Sequence, residues 1–435
     1  MVDFGRSNDP AVQAQLNRLA RLSVPQGRFG LKTITAVMER LGSPHRKLPP
    51  VFHVAGTNGK GSVCAFLRAM LEADGKRVHV TTSPHLVSYN ERIRIAGELI
   101  SDTALARLLE EVLDASEDLG PSFFEVTIAS AFLAFSREPA DACVVEVGLG
   151  GRFDATNVLP ASVVAASGIA ALGLDHERFL LAPEDGTPKE PMARIAFEKA
   201  GIAKRSVPLV ALDQVPEATR QIILRSESVG ANIALHGYEW SNKVERIDGE
   251  ERQIYRDDNG TLNLPLPNLI GPHQLRNCGL AAAMLRHQDE VAISDQAIAQ
   301  GLQRTNWPGR LQRLAQGPLA KMREVWIDGG HNPNAGDVMA QFWADHSVHL
   351  VIGMLANKNP EAIVSPLRPW TASITAVPVP DHDYHPAQAF GETTAWADDL
   401  AKAIDALPQD GRPVFIAGSL YLIGEALRLN EEMPD

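Results

Sequence analysis

Cysteine is scarce. The 435-residue chain has three, Cys64, Cys143 and Cys278, far apart and without a CxxC spacing, so neither a disulfide framework nor a zinc site is expected. Each reads as a small buried hydrophobe. An excess of basic charge is missing as well: 41 Lys and Arg stand against 53 Asp and Glu, a net charge of −12. That argues against nucleic-acid binding, which relies on basic surfaces. It leaves an anionic small-molecule substrate open, because local charge in a cleft decides that question. No apolar run reaches the roughly 18 residues of a membrane span, and MVDFGRSNDPAVQ has neither the basic start nor the apolar core of a signal peptide. A cytoplasmic protein without membrane attachment is therefore expected. Internal repeats and low-complexity tracts are also lacking.

What is there is ordinary for a globular protein, 45% apolar and 22% charged, and long enough to call for two domains. Short apolar runs at 51–56, 77–83, 142–149, 162–169 and 207–212 read as buried strands. Helical periodicity fills Ser62 to Ala73, Asp102 to Leu119, Glu125 to Arg137 and Pro191 to Ala203. Such alternation predicts a parallel sheet covered by helices. From about residue 235 the pattern changes to strands with Asn259-Gly260 as a hairpin turn, then to helices at 272–286 and 294–303. After Pro308-Gly309, strand and helix alternate again through EVWIDGG, HLVIGML, SITAVPV and PVFIAGS. The expected layout is an N-terminal α/β domain with a phosphate-loop parallel sheet, residues 1–306, and a smaller C-terminal Rossmann-like α/β domain, residues 307–435.

VFHVAGTNGKGSVCAFL, Val51 to Leu67, is a strand, a glycine-rich turn and a helix. Glycines let successive backbone N–H groups turn toward one point, and the helix aims its positive end there. That suits a polyphosphate, with Lys60 as a point charge. The usual pattern is GxxxxGK followed by Ser or Thr, whereas here Gly56 to Lys60 reads GxxGK and the hydroxyl is displaced to Ser62. Three further motifs fall at strand ends, where ligands of open α/β sheets gather: Thr81 to Leu86 with Ser83, Val144 to Asn157 with Glu146, and Leu174 to His176. A carboxylate at a strand end suits a magnesium ligand beside a phosphate loop. Taken singly, Glu146 also fits an ion pair, His176 a loop hydrogen bond and Ser83 a helix cap; their shared position speaks for a site.

AGTNGKGS, TSPHLVSYNERIRI, FFEVTIASAFLAF, VEVGLGGRFDATN, LDH, EKAGI, PGRLQ and DGGHNPNA, in this order, resemble the folylpolyglutamate synthase and dihydrofolate synthase family of Mur-type amide ligases. The likeness runs from about Gly30 to Tyr421, and the short loop is the family's own form. It implies ATP-dependent amide formation: ATP converts a carboxylate to an acyl phosphate, which the amine of L-glutamate attacks, releasing ADP and phosphate.

The resemblance also implies roles. Thr57, Asn58, Gly59, Lys60, Gly61 and Ser62 would hold the ATP phosphates. Ser83 and Glu146 would bind one Mg2+, and Glu146 would share a second with His176. Lys199 matches a lysine that is carbamylated in the family, which turns a cation into a metal-binding anion; without the resemblance it reads as a surface helix lysine. Asn277, Arg310 and Asp328 match nucleotide contacts. Arg28, Phe29, Gly30, Leu31, Ser122, Phe123, Phe124, Glu125, Phe153, Asp154 and Ala155 match positions around the pterin, and His331 and Ser419 lie where the family places the incoming glutamate.

Two departures stand out. The passage between His176 and Lys199, through ERFLLAPEDGTPKEPMARIAF, is lengthened, and ASGIAALGLDH is a few residues longer than the common form. Loops near a site tolerate insertions, so the ligands are expected to survive. The FGLK and FFEV segments and the chain's compactness point to a bifunctional enzyme acting on dihydropteroate and on reduced folates. A monofunctional folylpolyglutamate synthase, a peptidoglycan-precursor ligase, a phosphate-loop NTPase or kinase, and a nucleotide-regulated binding protein remain as alternatives. A monomer is expected, since each domain can bury its own core.

Overall fold

The computed structural model describes residues 6–22 and 30–434. The chain divides into two compact units, residues 1–268 with 274–306, and residues 269–273 with 307–435. In the first unit β1 (Val51–Ala55), β2 (Val78–Thr81), β3 (Ile93–Ile95), β4 (Glu98–Leu99), β5 (Ala142–Glu146), β6 (Val164–Ile169), β7 (Pro208–Ala211) and β8 (Asn232–Leu235) form one sheet of order β4-β3-β2-β5-β1-β6-β7-β8. The strands from β2 to β8 pair in parallel, and β3 and β4 add an antiparallel edge. Every residue of β1, β5 and β6 is buried, which is why these strands read as continuous apolar runs instead of alternating ones. Val51, Cys143, Val145 and Val164 share a core with the helices Pro10–Leu19, Lys32–Arg40, Asp102–Ser116 and Phe123–Arg137. All three cysteines are buried and free.

The helices begin where local chemistry allows. Ser122 and Glu125 form a reciprocal capping box for Phe123–Arg137. Gly59, left-handed at φ 85°, caps Lys60–Ala73, so this helix starts two residues earlier than periodicity indicates. β9 (Trp240–Ile247), β10 (Glu250–Asp257) and β11 (Gly260–Leu264) make a separate three-stranded antiparallel sheet. The second hairpin turn lies one residue away from the expected Asn259-Gly260. Asp257 pairs with Gly260, which makes Asp258 and Asn259 the turn, and the Asp257 carboxylate accepts the Asn259 N–H at 2.9 Å. The first turn is Asp248-Gly249, both left-handed, a two-residue signal absent from the expectations.

The second unit contains β12 (Gln312–Arg313), β13 (Val325–Asp328), β14 (Val348–Ile352), β15 (Thr371–Ala376), β16 (Ala395–Trp396) and β17 (Val414–Ala417), ordered β12-β13-β17-β14-β15-β16. All but β12 run parallel. Its own core gathers Leu350, Ile352, Ile363, Leu367, Phe390 and Phe415. The architecture is thus a large parallel-sheet α/β unit and a smaller Rossmann-like one.

In the first unit the helix Asp295–Arg304 crosses Lys60–Ala73 at Gly301, where an added Cβ would lie 2.5 Å from Met70 Cα and 2.6 Å from Met70 N. In a free helix Gly→Ala stabilises by about 1 kcal/mol; against backbone that cannot yield, the sign reverses. Gly301→Ala is expected to cost about 1–3 kcal/mol, read as an earlier urea midpoint of the first unit, and an unchanged or later midpoint would contradict the close approach.

Candidate active site

Parallel strands end together, so the segments following β1, β2, β5 and β6 share the carboxyl edge of the first sheet. The loop after β1 is anchored there. The Thr57 and Asn58 N–H groups both donate to the Ala171 carbonyl, at 2.9 and 3.1 Å. The Thr57 hydroxyl donates to the Gly173 carbonyl at 3.0 Å and accepts from the Gly173 N–H at 3.1 Å. Thr57 and Asn58 therefore use their backbone to fasten the loop, and the first N–H groups of Lys60–Ala73, which have no intrahelical acceptor, are the ones at its helical end. The helix Pro272–Arg286 closes over them. Asn277 sits against Gly59 with no room for a Cβ. Its amide donates to Gln274 at 3.0 Å, and Gln274 donates to the Ser62 hydroxyl at 3.2 Å.

Beside the loop, Glu146 ends β5 and is 5% exposed. Its Oε2 accepts the backbone N–H of Ser83 at 3.1 Å. No helix starts at Ser83; it lies two residues past the end of β2. Lys199, 4% exposed, ends the helix Pro191–Lys199 and donates from Nζ to the Gly56 carbonyl at 2.9 Å. It is a buried amine, contrary to the surface lysine that its helical context alone implied. Burial, followed by the nearby Lys60 charge, pulls its pKa down to about 7, with Asp175 and Asp154 opposing. His176 is left-handed at φ 52°, half-buried, and its N–H donates to the Asp175 carboxylate at 2.8 Å. Among the described residues no group of three or more His, Cys, Asp and Glu gathers as a metal site. Glu146 and Ser83 nonetheless supply the hard oxygen donors that suit a magnesium ion completed by phosphate and water.

The segment Val147 to Asn157 is tightly packed, and its glycines serve close approach. Phe124 leaves no room for a Cβ on Gly148, and at Gly151 one would lie 2.8 Å from the Lys199 carbonyl. Asp154 accepts N–H bonds from Leu149 at 2.8 Å and Thr156 at 3.0 Å, so its carboxylate braces the loop. Phe153 lies under the Arg152 guanidinium at 4.0 Å. Ser122 and Glu125 are occupied by their capping box. Leu31, Phe123 and Phe124 are half-buried against the first core, and Ala155 belongs to it. Gly30 is exposed, while Arg28 and Phe29 lie outside the described residues.

In the second unit Asp328 ends β13 and ties two turns together, accepting the Leu311 N–H at 2.9 Å and the Gly330 N–H at 2.7 Å. Arg310 therefore sits on a turn held by Asp328. His331 follows on the Gly329–Gly330 turn, its Nδ1 3.2 Å from the Gly329 carbonyl. Ser419 caps the helix Leu420–Leu429 just after β17, the neighbour of β13. These four thus share the carboxyl edge of the second sheet. The residues that motif reading missed are Asp175, whose charge favours the ammonium form of Lys199, Gln274, which links Ser62 to Asn277, and the partners of Arg152. Of these, LDH contains Asp175 and EKAGI contains Glu198, so those two carried a motif signal.

The Lys199 shift has a thermodynamic consequence. Its folded value of about 7 lies below the 10.5 of an unfolded lysine. As pH falls between those values the unfolded chain takes up the proton first, so stability declines over this window and levels off below about 7. In metal-free, CO2-depleted buffer, wild type should lose stability relative to Lys199→Met between pH 9.5 and 7 by urea unfolding. Parallel curves would refute the buried neutral amine.

No family model matches the chain. A dihydrofolate synthase/folylpolyglutamate synthase of Bacillus subtilis is 33% identical over 91% of this chain and 94% of its own length. A solved Mycobacterium tuberculosis folylpolyglutamate synthase complexed with ADP and AMPPCP superposes with a TM-score of 0.83 at 30% identity, covering 98% of this chain and 99% of that one. A bifunctional folylpolyglutamate synthase/dihydrofolate synthase with Mn, AMPPNP and L-glutamate bound gives 0.82 at 28% identity, over 98% and 99%. On identity, coverage and motif order alike, this chain belongs to the dihydrofolate synthase/folylpolyglutamate synthase family.

Proposed function

We propose that this protein is an ATP-dependent amide ligase that adds L-glutamate both to dihydropteroate and to reduced folates or their glutamates, releasing ADP and phosphate. The observation that carries it is the convergence of the glycine loop, Glu146 and the buried Lys199 on one sheet edge. The relatives support it: the B. subtilis protein carries both activities in its name, and solved neighbours hold nucleotide analogues, and in one case Mn and L-glutamate.

In this assignment Gly59, Lys60, Gly61 and Ser62 receive the phosphates on the positive helix end, Thr57 and Asn58 hold the loop in place, and Asn277 walls the nucleotide. By the resemblance, Arg310 and Asp328 serve the phosphates and the nucleotide sugar, and His331 and Ser419 serve L-glutamate. Phe123, Phe124 and Phe153, with Arg28, Phe29, Gly30, Leu31, Ser122, Glu125, Asp154 and Ala155, shape the pterin region, Asp154 through the loop it braces. Residues 1–306 act as the ATP- and pterin-binding domain and 307–435 as the glutamate domain. The acid's oxygen attacks the γ-phosphorus and the bond to the β-phosphate oxygen breaks. The glutamate amine then attacks the acyl carbon, loses its proton, and phosphate departs. Most of the protein's contribution is positioning and charge neutralisation.

Ser83 and Glu146 would hold one magnesium ion, and Glu146, His176 and carbamylated Lys199 a second; bound there, the ions would neutralise charge on the phosphates. A neutral amine is what attacks CO2, and at a pKa of about 7 Lys199 is substantially neutral at physiological pH. We take the protein to be a monomer that acts on small molecules, not on nucleic acid; no described helix is long and apolar enough to cross a membrane.

ADP release from purified protein should require a pteroyl acid and L-glutamate together, stimulated by bicarbonate in wild type and not in Lys199→Met. Equal release without glutamate would sink the ligase assignment, and turnover of only one of dihydropteroate and tetrahydrofolate would make it monofunctional. Glu146→Gln keeps shape but removes the charge, and should lower kcat by at least about 100-fold; near-normal turnover would contradict its metal role.

A further inference from the structure

The lengthened passage between His176 and Lys199 is not a loose surface loop. From it Glu184 reaches back to the segment after β5, receiving Arg152 Nη1 on Oε1 at 3.1 Å, while its Oε2 receives Arg194 Nη2 at 3.0 Å. Glu198 completes the ring, at 2.8 Å from Arg152 Nη2 and 2.9 Å from Arg194 Nη2. Two arginines and two glutamates thus alternate, with side chains only 20% exposed at Arg152, 15% at Glu184, 6% at Arg194 and 7% at Glu198. Arg194 also donates from Nε to the Leu180 carbonyl at 3.0 Å, which fastens the start of the passage, and Leu180 lies against Gly150.

Charge count decides what Glu184 contributes. Without it, two guanidinium groups would face one carboxylate in a poorly hydrated place, and Arg194 Nη1 already lacks a partner. Leaving an uncompensated buried charge is costly. The strain would fall on Arg152, which is bound at both ends. Its N–H donates to the Glu198 carbonyl at 2.8 Å, and its guanidinium covers Phe153 at 4.0 Å. Glu198 immediately precedes Lys199.

We propose that Glu184 is a positioning residue for the acid substrate: by gripping Arg152 it holds Phe153 and the Gly150–Asp154 turn in place against the Lys199 helix. The inference rests on the function proposed above and adds a specificity role for the extra segment. Glu184 touches no reacting atom; it acts through Arg152.

The test uses full-length protein with dihydropteroate, ATP and L-glutamate, and two readouts. Glu184→Gln should raise the KM for dihydropteroate by about tenfold, a modest fraction of what misplacement can cost, and leave the KM for ATP within about twofold. Hydrogen exchange in peptides covering 148–158 should accelerate while 56–62 is unchanged. Glu184→Asp, which keeps the charge, should recover much of both. If Glu184→Gln does not fold, Glu184→Gln/Arg194→Gln restores one arginine to one glutamate and should show the same KM rise. A lowered melting temperature with wild-type KM and wild-type exchange would overturn the proposal, as would a wild-type KM in the double variant. The exchange readout needs no turnover, so an error in the assigned reaction and an error in the role of Glu184 give different results.

Discussion

The parallel register of β2, β5, β1 and β6 is the constraint on which the first unit's active edge depends. Because Val54 pairs with both Glu146 and Gly168, and Thr81 with Val145, these strands end level with one another. Whatever follows them must share one edge. The chain places there a glycine loop, a serine, a carboxylate and the Ala171–Gly173 segment that fastens the loop. An antiparallel arrangement would send alternate connections to the opposite edge; here β3 and β4 show this, adding an edge without adding a ligand.

Close backbone approach is the second requirement, and glycine provides it. Gly59 yields space to Asn277, and Gly151 to the carbonyl oxygens of Glu198 and Lys199. The lysine amine then reaches the Gly56 carbonyl from a helix that begins far along the chain. Its lowered pKa follows from that approach, since burial and the charge of Lys60 both disfavour the ammonium form. The Arg152, Glu184, Arg194 and Glu198 ring solves the opposite problem: burial alone would lower the Arg152 pKa, but the hydrogen bonds it donates to Glu198 and Glu184 outweigh burial and keep the cation.

Strands and loop were legible because their signals are local. β1, β5 and β6 are buried on both faces and mostly apolar, and the spacing of glycines and Lys60 fits a turn into a helix whatever surrounds it. The hairpin turn was displaced by one residue because Asp258 and Asn259 compete with Asn259 and Gly260, and only the pairing of Asp257 with Gly260 separates them. Lys199 was ambiguous for a related reason: a lysine in the last turn of a helix has the same local sequence whether that turn faces water or a loop.

By itself, the sequence determined the alternation of strand and helix, the chemistry of the loop and the order of motifs that marks the family, since each depends on residues near one another in the chain. Tertiary structure alone decided that Thr57 and Asn58 fasten the loop, that Gln274 links Ser62 to Asn277, that Lys199 is a buried amine, and that Glu184 meets Arg152. Those properties depend on burial and on charges brought together from residues as far as 212 positions apart, which no spacing along the chain encodes.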